Sequence, residues 1–276
     1  MKRLAVLGHP VGHSRSPAMH SAALVELGLA EEWSYEAIDL APDEFEPRVR
    51  AMADEGFVGA NVTVPHKGAA LSLADSLSET AREIGAANTL SFAGGEIRAD
   101  NTDAQGLMDA LPKAPGGKRA LVLGAGGAAR AAVWALSREG AEVEVWNRTE
   151  LRSRNLCEEL GGKPVEAVDL RSYELVVNST SVGLHGENPF AELPFEPSDL
   201  EERHTVVDLV YGAAPSQLLT VAFAVGAGVV DGIEILVRQG ALSLEIWTDQ
   251  PAPLEIMRRA AFEQGPSRGP HAPHRL

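Results

Sequence analysis

Short apolar runs alternate with amphipathic stretches along most of this 276-residue sequence. The runs have the length of buried strands, and the stretches between them repeat apolar residues at helical spacing. In the first hundred residues the pattern predicts strands at 3–7, 33–39 and 58–64, a hairpin over 89–98, and helices at 16–27, 43–55, 66–74 and 78–85. Ser16 is expected to cap the first helix, with Pro17 in its first turn. Strands that alternate with helices predict an α/β unit.

A second and more regular alternation follows residues 107–118, a segment rich in proline and glycine that predicts a linker. Beyond it the pattern predicts strands at 119–123, 143–146, 175–178, 206–209 and 229–231, and helices at 127–139, 150–160 and 215–225. Such alternation is typical of a parallel, doubly wound sheet. Two more helices are predicted at 233–247 and 253–262, and the Gly/Pro-rich tail 263–276 is expected to be frayed.

Charge and composition exclude several classes of protein. Lys and Arg total 24 and Asp and Glu total 39, which gives a net charge of −15. Such a field repels nucleic acid and anionic membrane, so we expect neither as a partner. The single cysteine, Cys157, excludes a disulfide framework and a cysteine-rich zinc site, and we expect no metal. No stretch predicts a signal peptide or a membrane span, so the expected location is the cytoplasm.

Residues 120–130 read ALVLGAGGAAR, which puts a strand, the motif G-x-G-x-x-A and a helix in that order. This is the dinucleotide-binding fingerprint in the context that it requires. Gly124 allows the tight turn, Gly126 lets the backbone approach a pyrophosphate, and Ala129 lets the helix pack closely on the strand. The free N–H groups at the helix start favour the pyrophosphate anion. The motif therefore predicts a nucleotide site.

The end of the next predicted strand favours NADP over NAD. The segment VEVWNRTE places Asn147, Arg148 and Thr149 where NAD-binding sites carry an Asp or Glu for the ribose 2′-hydroxyl. An Arg at this position can hold a 2′-phosphate through charge-assisted hydrogen bonds. Arg152, about one turn further on, would add a second cation.

Asparagine is scarce in this chain, and most of it lies in short polar motifs at predicted strand ends. Five of the seven asparagines do so: Asn61, Asn88, Asn101, Asn147 and Asn178. Open α/β sheets bind their ligands at the carboxyl ends of their strands. Any one of these residues is most simply a turn residue, but together they predict a polar cleft.

The segment GANVTVPHKG places Asn61 and Thr63 on one face of a strand and Lys67 just beyond its end. Asp103 begins a predicted helix at the junction of the two halves, where it could meet Lys67 across the cleft. A Lys–Asp pair beside a nicotinamide is suited to give a proton to a carbonyl oxygen as hydride reaches the carbon. Ser14 and Ser16 follow the first strand, and their hydroxyls could bind a carboxylate near a helix start.

Taken together, the motifs resemble those of the shikimate dehydrogenases over residues 4 to about 250. The matching segments occur in the family's order: HPVGHSRSPAMH, NVTVPHK, GAANTL, DNTDAQG, GAGGAAR, NRT, NSTSVG, DLVY and GIEILVRQG. The resemblance implies reversible reduction of 3-dehydroshikimate to shikimate with NADPH, a step toward chorismate and the aromatic amino acids. It also implies two α/β domains, with the C-terminal helices returning to the first domain.

The resemblance also implies roles for individual residues. A substrate domain would span 1–103 and 239–276, and a Rossmann-type NADP domain would span 104–238, with hinges near 104–118 and 235. Lys67 and Asp103 would be the acid/base pair. The substrate would contact Ser14, Ser16, Asn61, Thr63, Asn88, Asp103, Tyr211 and Gln239. NADP would contact Gly124, Ala125, Gly126, Gly127, Ala128, Asn147, Arg148, Thr149 and Arg152, with Leu209 and Gly232 near the nicotinamide.

Two alternatives stay open. A catabolic quinate/shikimate dehydrogenase would use NAD, but Asn147-Arg148 stands where NAD users carry an acid, and Ser16 stands where such relatives often have Thr. A catalytically inactive nucleotide-binding regulator on this fold would be expected to lack Lys67 or Asp103, and both are present. The expected partner is a small-molecule substrate, and a homodimer is also left open.

Overall fold

Two six-stranded sheets organise the chain, one in each half. The structure, a computed structural model, describes residues 1–212 and 214–263. Within these residues no helix is both long enough and apolar enough to cross a bilayer. The sequence predicts a frayed tail at 263–276; Glu263 is the last residue of a helix, and 264–276 lie outside the described residues.

The first half forms a mixed sheet with helices packed on it. Its elements are β1 (Lys2–Gly8), α1 (Ser16–Glu26), β2 (Trp33–Asp39), α2 (Phe45–Met52), β3 (Phe57–Val62), α3 (Lys67–Leu73), β4 (Ser76–Leu77), α4 (Glu79–Ile84), β5 (Thr89–Ala93) and β6 (Glu96–Asp100). The strand order is β2-β1-β3-β5-β6-β4. β1 pairs in parallel with β2 and β3, whereas β5 is antiparallel to both β3 and β6.

The second half is a parallel sheet whose strands alternate with helices. Its elements are α5 (Asp103–Ala110), β7 (Arg119–Leu123), α6 (Gly127–Arg138), β8 (Glu142–Trp146), α7 (Glu150–Leu160), β9 (Lys163–Val165), β10 (Leu175–Asn178), β11 (Thr205–Asp208), α8 (Gln217–Ala224), β12 (Gly228–Asp231), α9 (Gly232–Thr248) and α10 (Leu254–Glu263). The order β12-β11-β10-β7-β8-β9 reverses direction at β7, as in a doubly wound sheet. The predicted fold class, two α/β domains with one of Rossmann type, is confirmed.

Some local predictions are wrong. Ser16 is the first helical residue of α1 rather than its N-cap, which is Arg15. The Ser14 hydroxyl accepts the Ser16 backbone N–H at 3.2 Å instead. The predicted linker also begins too early: residues 103–110 form α5, because Ala104 and Leu107 are buried, and only 111–118 are irregular. The two short strands β4 and β9 are missing from the prediction.

The two C-terminal helices lie against the first sheet and close one of its faces. The indole Nε1 of Trp247 on α9 donates to the Leu90 carbonyl of β5 at 2.9 Å. On α10, Met257 and Ala261 are fully buried in the cluster that contains Met19 of α1. The chain therefore enters the second half at α5 and comes back to the first half through α9. The predicted division into 1–103 plus 239–276 and 104–238 cuts α9, which runs as one continuous helix.

The two halves also meet through small side chains. Ala104 of α5 and Ala131 and Ala135 of α6 form a buried cluster with Ile84 at the end of α4. Alanines let the helix backbones come close together, which leaves little room for the halves to shift. At the edge of this contact, Arg130 Nε donates to the Ile84 carbonyl at 2.6 Å. This contact joins the end of α4 in the first half to α5 and α6 in the second half.

We expect Met257→Ala to destabilise the protein by about 2–5 kcal/mol, because removal of a fully buried Met side chain leaves a cavity where α10 packs on α1. The measurement is the midpoint of urea unfolding followed by tryptophan fluorescence. Phe262→Ala on the same helix is the matched control, since Phe262 is 54% exposed, and it should change stability by less than about 0.5 kcal/mol. Equal stability of the two variants would contradict the described packing of α10.

Candidate active site

A cleft of about 430 Å³ opens at the carboxyl ends of β1 and β3. The first half supplies most of its wall, and the second half adds the first residue of α5, a residue after β11 and a residue of α9. Its lining residues are Val6, Val11, His13, Ser14, Ser16, Asn61, Val62, Thr63, Lys67, Asn88, Asp103, Tyr211 and Gln239. Every residue that was predicted to contact the substrate or to act in proton transfer is in this set. The structure thus brings together predicted site residues as far apart in the chain as Ser14 and Gln239.

Lys67 and Asp103 form an ion pair in the wall of the cleft. Lys67 is the first residue of α3 and Asp103 the first residue of α5, and the distance from Lys67 Nζ to Asp103 Oδ2 is 2.5 Å. Their side chains are only 12% and 15% exposed. Asp103 also lies at the start of a helix, where the backbone dipole favours a negative charge. The pair is therefore shielded from bulk water and still open to the cleft.

Asn88 holds the second oxygen of the Asp103 carboxylate. Its Nδ2 donates to Asp103 Oδ1 at 3.0 Å and to Gln239 Oε1 at 2.9 Å. Its Oδ1 accepts the Thr102 backbone N–H at 2.7 Å, which ties the start of α5 to the same amide. Because Asn88 is buried, these bonds do not compete with solvent, and they fix the direction in which Asp103 points.

A layer of buried polar side chains lies behind the cleft. Asn61 Nδ2 donates to Ser243 Oγ at 2.9 Å, and the Tyr35 hydroxyl donates to Asn61 Oδ1 at 2.7 Å. Thr89 Oγ1 lies 2.8 Å from Ser243 Oγ. Burial raises the pKa of Tyr35, so its hydroxyl stays protonated as a donor. These bonds hold the predicted substrate residue Asn61 in one orientation.

The end of the cleft that is predicted to bind a carboxylate is lined by hydroxyl groups. Ser14 and Ser16 lie at the start of α1, and Tyr211 reaches them from the loop after β11. Burial raises the pKa of Tyr211, while the Ser14 hydroxyl and Arg15 partly offset that rise. Burial also lowers the pKa of the nearby His13, which keeps its imidazole neutral at pH 7. The hydroxyls of Ser14, Ser16 and Tyr211 can donate hydrogen bonds without carrying a charge, and so can the N–H of the neutral His13 imidazole.

The start of α6 fits a nucleotide pyrophosphate. Gly126 is its N-cap and no side chain occupies the free N–H groups of the first turn. Gly124 has φ +109°, and a Cβ there would lie 2.9 Å from Ser179 Oγ. A Cβ on Gly127 would lie 2.9 Å from Lys67 Cβ. Residues 124–128 thus form a bare helix start in direct contact with the Lys67 side chain, which suits an anion beside the ion pair.

The predicted 2′-phosphate residues lie just after β8. Arg148 is 82% exposed, and its Nη1 lies 3.1 Å from Glu192 Oε2. Asn147 Nδ2 donates to the Thr149 carbonyl at 2.8 Å, which shapes the turn, and Arg152 is exposed on α7. An exposed ion pair contributes little free energy, so a phosphate could replace Glu192 as the partner of Arg148 at small cost.

The carboxyl ends of β10, β11 and β12 carry a row of polar residues in register, namely Asn178, Asp208 and Asp231. Asp208 accepts hydrogen bonds from Asn178 Nδ2 at 2.9 Å and from Ser216 Oγ at 2.6 Å. Burial raises the pKa of Asp208 to about 6. By holding both ends of the loop from 209 to 216, Asp208 fixes its path.

Leu209 and Gly232, the residues predicted to lie near the nicotinamide, meet at this row. A Cβ on Gly232 would lie 2.7 Å from the Leu209 carbonyl oxygen. Tyr211, two residues further along the same loop, lines the substrate cleft and also a second cavity of about 910 Å³. The loop therefore connects the predicted nicotinamide position with the carboxylate end of the cleft.

Several supporting residues were missed by sequence reasoning. Thr102, Thr89 and Ser243 link Asn88 and Asn61 into one network. Ser243 could have been found, because it follows Gln239 by four residues and so lies on the same face of a helix. Asp208 gave a weaker signal, as an acid at the end of an apolar strand.

Comparison with known proteins identifies three matching family models. The shikimate dehydrogenase substrate binding domain matches residues 6–90, the shikimate/quinate 5-dehydrogenase model matches residues 110–184, and the shikimate 5′-dehydrogenase C-terminal domain matches residues 232–262. The matched segments fall on the first sheet, the nucleotide-binding part of the second sheet, and the helices that return to the first sheet.

Individual relatives match over nearly the whole chain. The NADP(+) shikimate dehydrogenase of Methanopyrus kandleri is 43% identical over 94% of this chain and 94% of its own. That of a Thermus thermophilus strain is 44% identical over 95% of this chain and 99% of its own. The crystal structure of a Thermus thermophilus shikimate 5-dehydrogenase with NADP(H) and shikimate superposes with a TM-score of 0.86 at 42% identity, covering 95% of this chain and 98% of that one. Relatives this similar over this length show that the chain belongs to the shikimate dehydrogenase family.

Proposed function

We propose that this protein interconverts 3-dehydroshikimate and shikimate with NADPH or NADP⁺ as its hydride carrier, in the biosynthesis of chorismate and aromatic amino acids. The observation that carries the proposal is the contact between the Lys67–Asp103 pair and the nucleotide loop. Lys67 faces the polar cleft and packs against Gly127 at the start of α6. An acid/base pair and a nucleotide loop that meet in one cleft are what a ketone reduction requires.

NADP fits the residues at the edge of the second sheet. The pyrophosphate would lie on residues 124–128, and Arg148 with Asn147, Thr149 and Arg152 would hold the 2′-phosphate. Leu209 and Gly232 would border the nicotinamide. When bound, the reduced nucleotide supplies the hydride. The relatives named above as NADP(+) enzymes support this choice over NAD.

Proton transfer is assigned to Lys67. In the reductive direction its ammonium would donate a proton to the carbonyl oxygen as that oxygen gains charge, and in the oxidative direction the neutral amine would take it back. Asp103 would hold the amine in place and stabilise its charged form. Asn88 would keep the carboxylate from turning away, since it binds Asp103 Oδ1 at 3.0 Å.

The remaining cleft residues would orient the substrate. Ser14, Ser16 and Tyr211 would donate hydrogen bonds to the carboxylate, and Asn61, Thr63, Asn88 and Gln239 would surround the ring hydroxyls. The fixed network of Asn61 and Gln239 suits this task, because a site with preset partners rejects analogues that lack a hydroxyl.

We propose that residues 1–103 and 239–276 form the domain that binds the substrate and that residues 104–238 form the domain that binds NADP. A cytoplasmic location and a homodimer are part of this proposal.

One competing function has a specific observation in its favour. The 5-ketofructose reductase of a Gluconobacter strain superposes with a TM-score of 0.81 at 27% identity, so this fold also serves another carbonyl substrate. Quinate is the other candidate, since one matching family model covers shikimate and quinate enzymes together. The Lys–Asp pair does not separate these substrates, so discrimination between them is assigned to the cleft residues proposed to face the ring.

The direct test is an absorbance assay for NADPH formation with shikimate, quinate and each of NADP⁺ and NAD⁺. We expect kcat/KM to be highest with shikimate and NADP⁺. Comparable turnover of quinate with NAD⁺ would overturn the biosynthetic proposal. No turnover of shikimate with either nucleotide would leave a nucleotide-binding regulator as the better description.

Lys67→Ala should lower kcat for shikimate by roughly 10²–10⁴-fold, because the general acid/base is lost. The matched control is Lys163→Ala, since Lys163 is exposed on β9 away from the cleft, and its kcat should stay at the wild-type value. Circular dichroism would verify that both variants are folded. An unchanged kcat in folded Lys67→Ala would remove Lys67 from the mechanism.

Arg148→Ala should raise the KM for NADPH by about 10–100-fold and change the KM for NADH by less than about twofold, since only NADPH carries the 2′-phosphate. Arg171→Ala serves as the control, because Arg171 is an exposed Arg paired with Asp169 before the amino end of β10. Equal increases of KM for the two nucleotides would argue against a 2′-phosphate role for Arg148.

A further inference from the structure

Arg15 is a buried cation directly behind the two serines of the cleft. Its neighbours Ser14 and Ser16 both line the cleft, whereas Arg15 itself does not. The residue is only 7% exposed. Its side chain therefore points away from the ligand space and into the protein, at the N-cap position of α1.

The partners of the Arg15 guanidinium are backbone carbonyls. Nη2 donates to the Gly212 carbonyl oxygen at 3.0 Å, and Nη1 donates to the Ala261 carbonyl oxygen at 3.5 Å. Across 1–212 and 214–263 no Asp or Glu side chain pairs with it, and residues 213 and 264–276 contain neither amino acid. A buried cation is normally accompanied by an anion. Here the protein's own side chains do not supply one.

The two contacts connect three parts of the fold. Gly212 follows Tyr211 in the loop after β11, and Ala261 lies on α10. The Gly212 contact therefore holds the end of the Tyr211 segment against the start of α1, where Ser14 and Ser16 lie. Arg15 also acts electrostatically on this wall of the cleft, since its positive charge lowers the pKa of Tyr211 against the effect of burial.

The rest of the cleft offers little positive charge to a carboxylate. Lys67 is already paired with Asp103, and burial keeps His13 neutral at pH 7 by lowering its pKa. The chain as a whole carries −15. Among the described groups near the serines, Arg15 is thus the cation that is always charged and that has no acidic side chain paired with it.

We propose that Arg15 is a positioning residue for the carboxylate of the substrate, an inference that rests on the proposed function. Its guanidinium holds Gly212, and through it Tyr211, beside Ser14 and Ser16. Its charge makes these hydroxyls a better site for an anionic group than for a neutral one, although the guanidinium does not touch the ligand. The substrate carboxylate is the anion that the buried cation lacks.

The test compares the binding of shikimate with that of its neutral methyl ester, by calorimetry on the full-length enzyme. Arg15→Gln should weaken the binding of shikimate by about 10-fold or more and that of the ester by less than about threefold, because only the acid responds to the charge. The KM for NADP⁺ should stay within about twofold. Arg50→Gln is the matched control, since Arg50 is an exposed Arg paired with Glu46 in the same half, and both ligands should bind it as they bind the wild type.

Arg15→Lys keeps the positive charge, and it provides a second test if Arg15→Gln folds poorly. Its preference for shikimate over the ester should remain within about threefold of the wild-type value. Equal weakening of both ligands in Arg15→Gln, or loss of the preference in Arg15→Lys, would overturn the inference. Failure of the proposed function would appear differently, as an absence of shikimate binding in the wild-type enzyme, and it would overturn the inference as well.

Discussion

The contact between Lys67 and Asp103 is the interaction on which the rest of the site depends. Lys67 begins a helix of the first half, and Asp103 begins the helix that leads into the second half. The two side chains are 2.5 Å apart, Asn88 donates to the other carboxylate oxygen of Asp103, and the same Asn88 amide donates to Gln239. Gln239 lies on α9, the helix that returns from the second sheet. The hydrogen bonds around the pair therefore involve both α5, where the chain enters the second half, and α9, where it comes back.

The Lys67 side chain also contacts the loop proposed to bind the nucleotide. Gly127 allows the start of α6 to pack against the Lys67 side chain, because any larger residue would meet Lys67 Cβ at 2.9 Å. The alanine cluster packs α5 and α6 against the end of α4. Small residues at the junction thus bring the proposed nucleotide loop and the Lys67–Asp103 pair together. The buried network behind the cleft then fixes the polar groups that face the substrate.

The protein binds anions while carrying a net charge of −15, and the structure shows how the conflict is avoided. The proposed carboxylate end of the cleft presents neutral hydroxyls, and the proposed nucleotide loop presents backbone N–H groups. Arg148 is exposed beside Glu192, where a phosphate can displace a weak partner. Arg15 is buried without an acid beside it, so its charge acts on the cleft from behind.

The sequence by itself determined most of the elements, the family and the identity of the cleft residues. Apolar periodicity is strong for β7, α7 and β10, and the predicted bounds of these elements agree with the structure. The predicted bounds differ from the structure where local signals compete. At the start of α1, the sequence of serine, arginine and proline is compatible with two N-cap positions. The glycines and prolines near 116 led to a predicted linker that overlaps the end of α5. Only the tertiary structure decided which distant polar groups share hydrogen bonds. Asn88 meets Gln239 across 151 residues of chain, and Arg15 meets Gly212 across 197. No local pattern encodes such contacts, because they follow from the packing of α9 and of the loop after β11 against the first half.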